Sequence, residues 1–330
     1  MHFEQERYLT LSKKIQTEGK NGFHPGEKLN RILRKNASEK KKLTRYQKNK
    51  AGSWLFLSPS ITGVLIFFGL PFCVVIYYAM VNNPIQHVFV GFHNFVRVWE
   101  NGAFRLAAYN TIRFSVVAVP LAVVLSLFLA VVMESRIPFK SQFRTFFLSP
   151  MMVPVASVVL IWQVLFHYNG LVNEWMLAIG QSKIDWLKSD HAQIAIVLLF
   201  LWKNLGYNMI LFMAALSSVP KDILEVARLE SATEMQIFWK IKLRYLSSTI
   251  LFVTIMSLIN SFKVFRETYL LTGDYPYDSL YMLQHFMNNT FQSLDYQKLS
   301  AAAIIMSIVI IILVGIMFLT EDRFGRDIES

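Results

Sequence analysis

Cysteine is almost absent from this chain of 330 residues, in which Cys73 is the only one. A single cysteine excludes an internal disulfide and a cluster of thiolate metal ligands. Its apolar surroundings, FFGLPFCVVIYY, predict a buried small hydrophobic residue. The chain also lacks a G-x-x-x-x-G-K-[ST] phosphate loop, so we do not expect it to hold ATP in the usual way.

Catalytic and metal-binding constellations are missing as well. The seven histidines are scattered, with no H-E-x-x-H motif and no pair at metal-ligand spacing. We expect His285, in the segment YMLQHFMNN, to form hydrogen bonds at the membrane interface. The sequence therefore predicts a protein that is not an enzyme and has no catalytic residues, bound cofactor or metal site of its own.

Long apolar runs dominate what the sequence does contain, since 54% of its residues are hydrophobic and 14% are aromatic. Runs of roughly 20 residues or more can cross a bilayer as helices. Six are present, at 54–80, 109–134, 145–167, 194–216, 248–271 and 299–319. They predict an all-α polytopic membrane protein with six transmembrane helices. Pro150 and Pro154 predict a kinked or locally unwound third span.

The net charge of +11 is distributed unevenly along the chain. If the N-terminus is cytoplasmic, the cytoplasmic pieces hold 24 Lys and Arg residues and the outer loops hold five. The positive-inside rule therefore places both termini in the cytoplasm. Because the positive charge follows the membrane topology, it does not indicate a nucleic-acid partner.

The charge and hydropathy pattern divides the chain into three parts. Residues 1–53 form a basic cytoplasmic tail, 54–319 form the transmembrane domain, and 320–330 form a cytoplasmic C-terminal tail. Because the N-terminus is polar, we expect no cleavable signal peptide. The basic tail is expected to be solvated and held near anionic lipid headgroups. The alternative is a docking or gating segment for a cytoplasmic partner.

Residues 217–247 form a cytoplasmic loop that is too polar for a bilayer, with five Lys or Arg residues and four acids. Ser218 is expected to cap a helix and Pro220 to lie in its first turn. Apolar residues at helical spacing form two groups: Ile223, Val226 and Ala227, then Ile237, Phe238 and Ile241. Two short amphipathic helices need a surface to bury against. We expect that surface to belong to another protein.

This loop resembles the cytoplasmic coupling loop of bacterial ABC-importer permeases, E-A-A-x-x-x-G followed nine residues later by I-x-L-P. Here the first part reads EVARLES and the second reads IKLR, so Ser231 replaces the glycine and Arg244 the proline. The segments VGFHNFVRVW, FRTFFLSPMMVPVASVVLIWQVLFHYNGLVN, WKNLGYNMILFMAALSSVP and FKVFRETYLLTGDYP extend the resemblance to the sugar-permease type over nearly the whole chain.

The resemblance implies a type I ABC-importer permease fold in the bacterial inner membrane. Such a subunit pairs with a second, similar permease and binds two ATPase subunits, which carry the ATP and Mg²⁺. It receives a sugar or oligosaccharide from an extracytoplasmic solute-binding protein. The residues implied to couple the loop to the ATPase are Glu225, Ala227, Arg228, Glu230 and Ser231. The alternative for Glu225 is that it only complements the dipole of its own helix.

Polar groups inside the spans mark a candidate solute path, because they are costly in hydrocarbon and usually face the bundle interior. The candidates are Asn204, Tyr207, Asn208, Asn260, Lys263 and Arg266. The aromatic candidates for stacking on a sugar ring are Trp162, Trp202 and Phe262. The alternative is hydrogen bonding between helices, with Glu267 neutralising Lys263 or Arg266. The excess of cations would suit an acidic solute such as a uronic-acid oligosaccharide.

Three other classes of protein remain open at this point. A transporter driven by an ion gradient should carry buried acids in its spans and often a repeat of its halves. Only Glu267 lies well inside a span, and cations lie beside it. A membrane-embedded enzyme would need a catalytic constellation, and a sensor would usually carry an attached sensing domain.

Overall fold

The computed structural model describes residues 54, 56–83, 85–134 and 138–325, with side chains up to residue 321. The predicted basic tail of residues 1–53 lies outside this part, and so do residues 326–330. The chain divides into two units, residues 1–73 and 74–330. Among the described residues the regular secondary structure is helical, with one isolated bridge between Val81 and Phe89. The all-α prediction is confirmed.

The main helices of the described residues are numbered α1 to α13 in chain order. Near the N-terminal end are α1 (Phe56–Met80), α2 (His93–Glu100), α3 (Gly102–Glu134), α4 (Lys140–Met152) and α5 (Val155–Leu165). The middle of the chain forms α6 (Leu171–Ala178), α7 (Ala192–Ser218), α8 (Lys221–Leu229) and α9 (Glu234–Ile237). The last four are α10 (Ser247–Phe262), α11 (Phe265–Thr272), α12 (Leu283–Gln292) and α13 (Tyr296–Gly325).

Five helical stretches are long and apolar enough to cross a membrane: Phe56–Met80, Gly102–Glu134, Ala192–Ser218, Ser247–Thr272 and Tyr296–Glu321. The third predicted span is instead two helices, α4 and α5, which meet at an angle of 101°. Pro154 directly precedes α5 and has no N–H to continue the helix. This confirms the break that the prolines predict, and counting the bent pair as one span gives the six that were predicted.

Helix α3 packs along α7 through small side chains in the second unit. Ala118, Ala122 and Ala130 of α3 are fully buried and share clusters with residues of α7. Small residues let helix backbones approach closely where lipid gives no hydrophobic drive for association. Gly206 of α7 serves the same purpose against α4, because a Cβ atom there would lie 1.8 Å from the carbonyl oxygen of Phe147.

One prediction about an individual residue is wrong. Cys73 is exposed on the chain, not buried. In a membrane protein an apolar side chain is stable facing lipid, so apolar neighbours in sequence do not imply burial. His285 is fully buried, its Nδ1 accepts a hydrogen bond from the Met282 N–H at 3.3 Å, and its ring packs edge-on against Phe265 with centroids 4.7 Å apart.

Candidate functional site

The first helix of the polar loop, residues 217–247, is capped differently from what the sequence predicts. Ser218 is the last residue of α7, and its hydroxyl donates to the Ala215 carbonyl at 2.7 Å. Pro220 takes the N-cap position of α8 with φ −59°, and no side chain caps the helix. The predicted Ser218 cap is therefore wrong. Asp222 in the first turn and Arg228 in the last complement the helix dipole.

Helix α8 ends in a Schellman turn at Ser231. The Ala232 N–H donates to the Ala227 carbonyl at 3.0 Å, and the Ser231 N–H donates to the Arg228 carbonyl at 3.0 Å. Ser231 has φ +62°, a left-handed conformation that glycine adopts without steric cost. The coupling-loop pattern that this segment resembles has glycine at this position. In this chain the same tight turn forms with serine, which adopts the strained conformation.

The second half of the loop is held by a capping box and an ion pair. The Thr233 hydroxyl accepts from the Gln236 N–H at 3.3 Å, and the Gln236 side chain accepts from the Thr233 N–H at 2.9 Å. Arg228 Nε lies 2.9 Å from Glu234 Oε1, joining α8 to α9. This hydrogen bond and the charge of Glu234 raise the pKa of Arg228 above its ordinary value. The loop is therefore two helices around a fixed corner.

Beyond α9 the chain continues as a π-helical turn, Phe238–Lys242, and a short helix, Leu243–Tyr245. Arg244 lies inside this short helix, where the resembling loops have proline. Arginine supplies an N–H and fits a helix interior, so the chain stays helical up to the turn at Leu246.

Helix α8 packs inward through part of its apolar surface. Ala227 is 8% exposed, and Leu224 packs against a cluster of buried residues at the ends of α3 and α7. Ile223 and Val226, the other two residues of the predicted apolar face, are exposed. These two side chains form the part of that face that is open to another protein.

The outward surface of the loop combines charged and apolar side chains. Four of the five predicted coupling residues are exposed: Glu225, Arg228, Glu230 and Ser231. Ala227, the fifth, offers little surface. Beside them lie exposed apolar side chains, among which Leu229 is 85% exposed and Trp239 is 59% exposed. An apolar patch with a polar rim is typical of a protein-binding surface.

Lys242 anchors the loop to the end of α3. Its side chain is nearly buried, and Nζ donates to both carboxylate oxygens of Glu134, at 2.8 and 2.7 Å. The sequence interpretation missed this contact. No local pattern signals it, because the two residues are 108 positions apart.

The polar candidates of the fourth and fifth spans meet at the contact of α7 with α10. The Asn260 side chain donates to Asn204 Oδ1 at 2.9 Å, and the Asn208 side chain donates to Ser257 Oγ at 3.0 Å. These three asparagines therefore form hydrogen bonds between helices, which was the alternative to a solute path. Tyr207 is half-buried beside them and has no side-chain hydrogen bond within the described residues.

Glu267 does not pair with its sequence neighbours. It is buried and forms an ion pair with Lys203 of α7. The prediction that it neutralises Lys263 or Arg266 is wrong, because α11 directs its carboxylate toward α7. Lys263 and Arg266 are exposed, and neither side chain has an ion pair or hydrogen bond in the described part of the chain.

The candidate stacking residues are engaged in packing. The Trp162 and Trp202 rings lie 5.3 Å apart between centroids, and Trp162 Nε1 donates to the Ala195 carbonyl at 3.2 Å. Phe262 packs against a different cluster of buried residues. All three side chains therefore contribute to packing within the chain.

Comparison with known proteins agrees with this architecture. The family described as binding-protein-dependent transport system inner membrane component matches residues 122–329. The trehalose/maltose transport system permease protein of Thermococcus litoralis is 30% identical, over 86% of this chain and 97% of that protein. The lactose transport system permease protein of Rhizobium radiobacter is 28% identical, over 83% of this chain and 94% of that protein.

A solved structure shows the same fold. A chain of a bacterial ABC transporter that imports the acidic polysaccharide alginate superposes with a TM-score of 0.73 at 20% identity. The alignment covers 84% of this chain and 99% of that one. The fold is that of a type I ABC-importer permease, which crosses the inner membrane several times. The chain belongs to the family of binding-protein-dependent transport system inner membrane components.

Proposed function

We propose that this chain is the permease subunit of an ABC importer for a sugar or oligosaccharide, and that residues 217–247 dock on a separate ATPase. The observation that carries the proposal is the exposed surface of the loop. Charged residues lie there beside exposed Leu229 and Trp239 on a backbone fixed by a Schellman turn and a capping box. The names of the two relatives support a sugar as the solute.

Coupling follows from how the loop is attached. The ion pair of Lys242 with Glu134 joins the loop to α3, and Leu224 packs against the ends of α3 and α7. A displacement of the loop would therefore move the ends of two spans that pack along each other. Closure of the ATPase subunits on ATP would supply that displacement and alternate the access of the solute path.

The remaining partners are part of the same proposal. A second, similar permease would complete the membrane pore, two ATPase subunits would hold ATP and Mg²⁺, and a binding protein would deliver the solute outside. Both termini would lie in the cytoplasm, as the distribution of positive charge predicts. The rival, coupling to an ion gradient, is weakened because Glu267 already pairs with Lys203.

The solute itself is proposed to be acidic. Lys263 and Arg266 lie at the break between α10 and α11, exposed and without an acidic partner in the described residues. Cations within a span are costly in lipid and normally face water or a counter-charge. Lys263→Met should abolish uptake of an acidic sugar and spare a neutral one, while Lys188→Met should change neither. Uptake of neutral sugars alone by the unmutated complex would contradict an acidic solute.

The importer proposal is tested by purifying the chain with the products of its neighbouring genes and assaying ATPase activity in lipid. The candidate binding protein and sugars are added in turn. Glu225→Arg should remove both ATPase co-purification and sugar-dependent hydrolysis, because it reverses a charge on the docking surface. Glu100→Arg, on α2, is the matched control for co-purification. Solute transport by the wild-type chain alone, without an ATPase, would overturn the proposal.

A further inference from the structure

A cavity of about 350 Å³ lies between the ends of α3, α4 and α7. This volume is within the range of small-ligand sites. Helix α3 contributes Ala130 and Glu134 to its lining, and α4 contributes Lys140 and Arg144. The proposed importer function assigns no role to this cavity, and the inference below does not depend on that function.

The charges lie at one end of the cavity and are positive on balance. Lys140 and Arg144 are one helical turn apart and therefore share a face of α4. Neither side chain has a hydrogen bond or ion pair in the described part of the chain. Glu134, the third charged lining residue, is neutralised because both its oxygens accept from Lys242. Two cations are thus left without a counter-charge.

The opposite end of the cavity is apolar. Ile210, Met213 and Ala214 line it from one face of α7. Since α7 ends at Ser218, Ile210 lies about two turns deeper in the span than that end. Ala130 likewise lies one turn inside the end of α3. The cavity therefore changes from positive at its mouth to apolar inside, which suits an amphiphile with an anionic head.

Aromatic side chains flank this mouth. Phe139, directly before α4, and Phe143 and Phe146 within it are exposed. Phenylalanine has no polar tip, so exposed phenylalanines at the end of a membrane helix are expected to contact lipid. The mouth of the cavity therefore lies beside residues suited to acyl chains.

We propose that this cavity binds an anionic phospholipid. The headgroup phosphate would pair with Lys140 and Arg144, and the first part of an acyl chain would lie along Ile210, Met213 and Ala214 of α7. Basic pockets between helices at one membrane surface are suited to lipid headgroups. Because the ligand would contact both α4 and α7, its binding would stabilise their packing.

The test measures phospholipid retention by the purified full-length chain with native mass spectrometry. Phosphatidylglycerol and phosphatidylcholine are the lipid probes, and inorganic phosphate is the soluble competitor. The wild-type chain should retain phosphatidylglycerol preferentially. The double variant Lys140→Gln/Arg144→Gln should weaken that retention about tenfold or more. The control Lys188→Gln/Arg97→Gln removes the same charge elsewhere and should leave it unchanged.

A second variant separates lipid binding from loss of charge. Ala214→Phe fills the apolar end without altering the cations, and it should also weaken retention. The conservative exchange Lys140→Arg/Arg144→Lys should preserve it, which shows that the region tolerates substitution. Melting temperatures identify any variant that fails to fold.

Three results would overturn the proposal. In the first, the double variant and its control retain phosphatidylglycerol equally. In the second, inorganic phosphate displaces the lipid, which would assign a site for free phosphate. In the third, the chain retains no lipid and a cross-linker at residue 140 captures an ATPase subunit in the assembled complex, which would assign a protein interface.

Discussion

The Lys242 ammonium lies 2.8 and 2.7 Å from the two carboxylate oxygens of Glu134, joining the cytoplasmic loop to the end of α3. Lys242 is only 8% exposed, so water screens this pair less than an ion pair on an open surface. The loop also contains such an exposed pair, Arg228 with Glu234. The two differ in burial and therefore in expected strength.

A double-mutant cycle tests this difference. Glu134→Gln, Lys242→Met and the double variant should show a coupling free energy of about 1 kcal/mol in denaturant unfolding. The matched cycle on Arg228 and Glu234 should give less than about 0.5 kcal/mol, because solvent screens an exposed pair. Equal coupling energies in the two cycles would show that the Lys242 contact does not anchor the loop.

Replacing Ser231 by glycine should stabilise the loop. Ser231 has φ +62°, and the left-handed conformation costs a residue with a Cβ about 1 kcal/mol. Ser231→Gly should therefore raise the free energy of unfolding, and Ser231→Val should lower it. Ser217→Gly lies in the regular helix α7 and should be destabilising. A Ser231→Gly variant less stable than wild type would rule out strain at this turn.

Gly206 is required for the contact of α7 with α4. A Cβ atom at this position would lie 1.8 Å from the Phe147 carbonyl oxygen, so one backbone must move. Gly206→Ala should lower the free energy of unfolding by about 3 kcal/mol or more. Gly315→Ala is the control, since nothing lies within 4 Å of its Cβ position. A thermal shift assay in detergent compares the two, and similar melting temperatures would contradict the close contact.

Stability should fall in mild acid because of His285. Burial lowers the pKa of His285 from 6.5 to about 4, and its Nε2 has no hydrogen-bond partner among the described residues. Between these values the unfolded chain binds a proton that the folded chain does not. The stabilisation is complete above pH 6.5 and is lost as the pH falls toward 4, by at most about 1.4 kcal/mol per pH unit.

Melting temperatures between pH 7 and pH 5 measure this dependence. His285→Gln should flatten the decline even if it lowers stability at pH 7. The exposed His191→Gln variant should keep the wild-type slope. An unchanged slope in His285→Gln would mean that other groups cause the acid sensitivity.

Much of the candidate site could be predicted from local patterns, and the partners of its residues could not. Helical spacing predicted α8 and α9, while the resemblance placed the glycine position at the residue that proves to be left-handed. Spacing grouped Ile223, Val226 and Ala227 on one face, but it did not predict that Leu224 packs inside the chain while Ile223 and Val226 stay exposed. Glu267 was assigned to its sequence neighbours and instead pairs with Lys203, 64 positions away.

The sequence by itself determined that the chain is a helical membrane protein with a polar loop after its fourth span. Hydropathy over about 20 residues and the missing N–H of proline act locally, so they can be read from the chain. Only the tertiary structure decided which polar groups meet. The pairs of Lys242 with Glu134 and Asn260 with Asn204, and the contact at Gly206, depend on how distant helices pack. Packing of that kind is selected by shape and charge across helices and leaves no periodic signal within one of them.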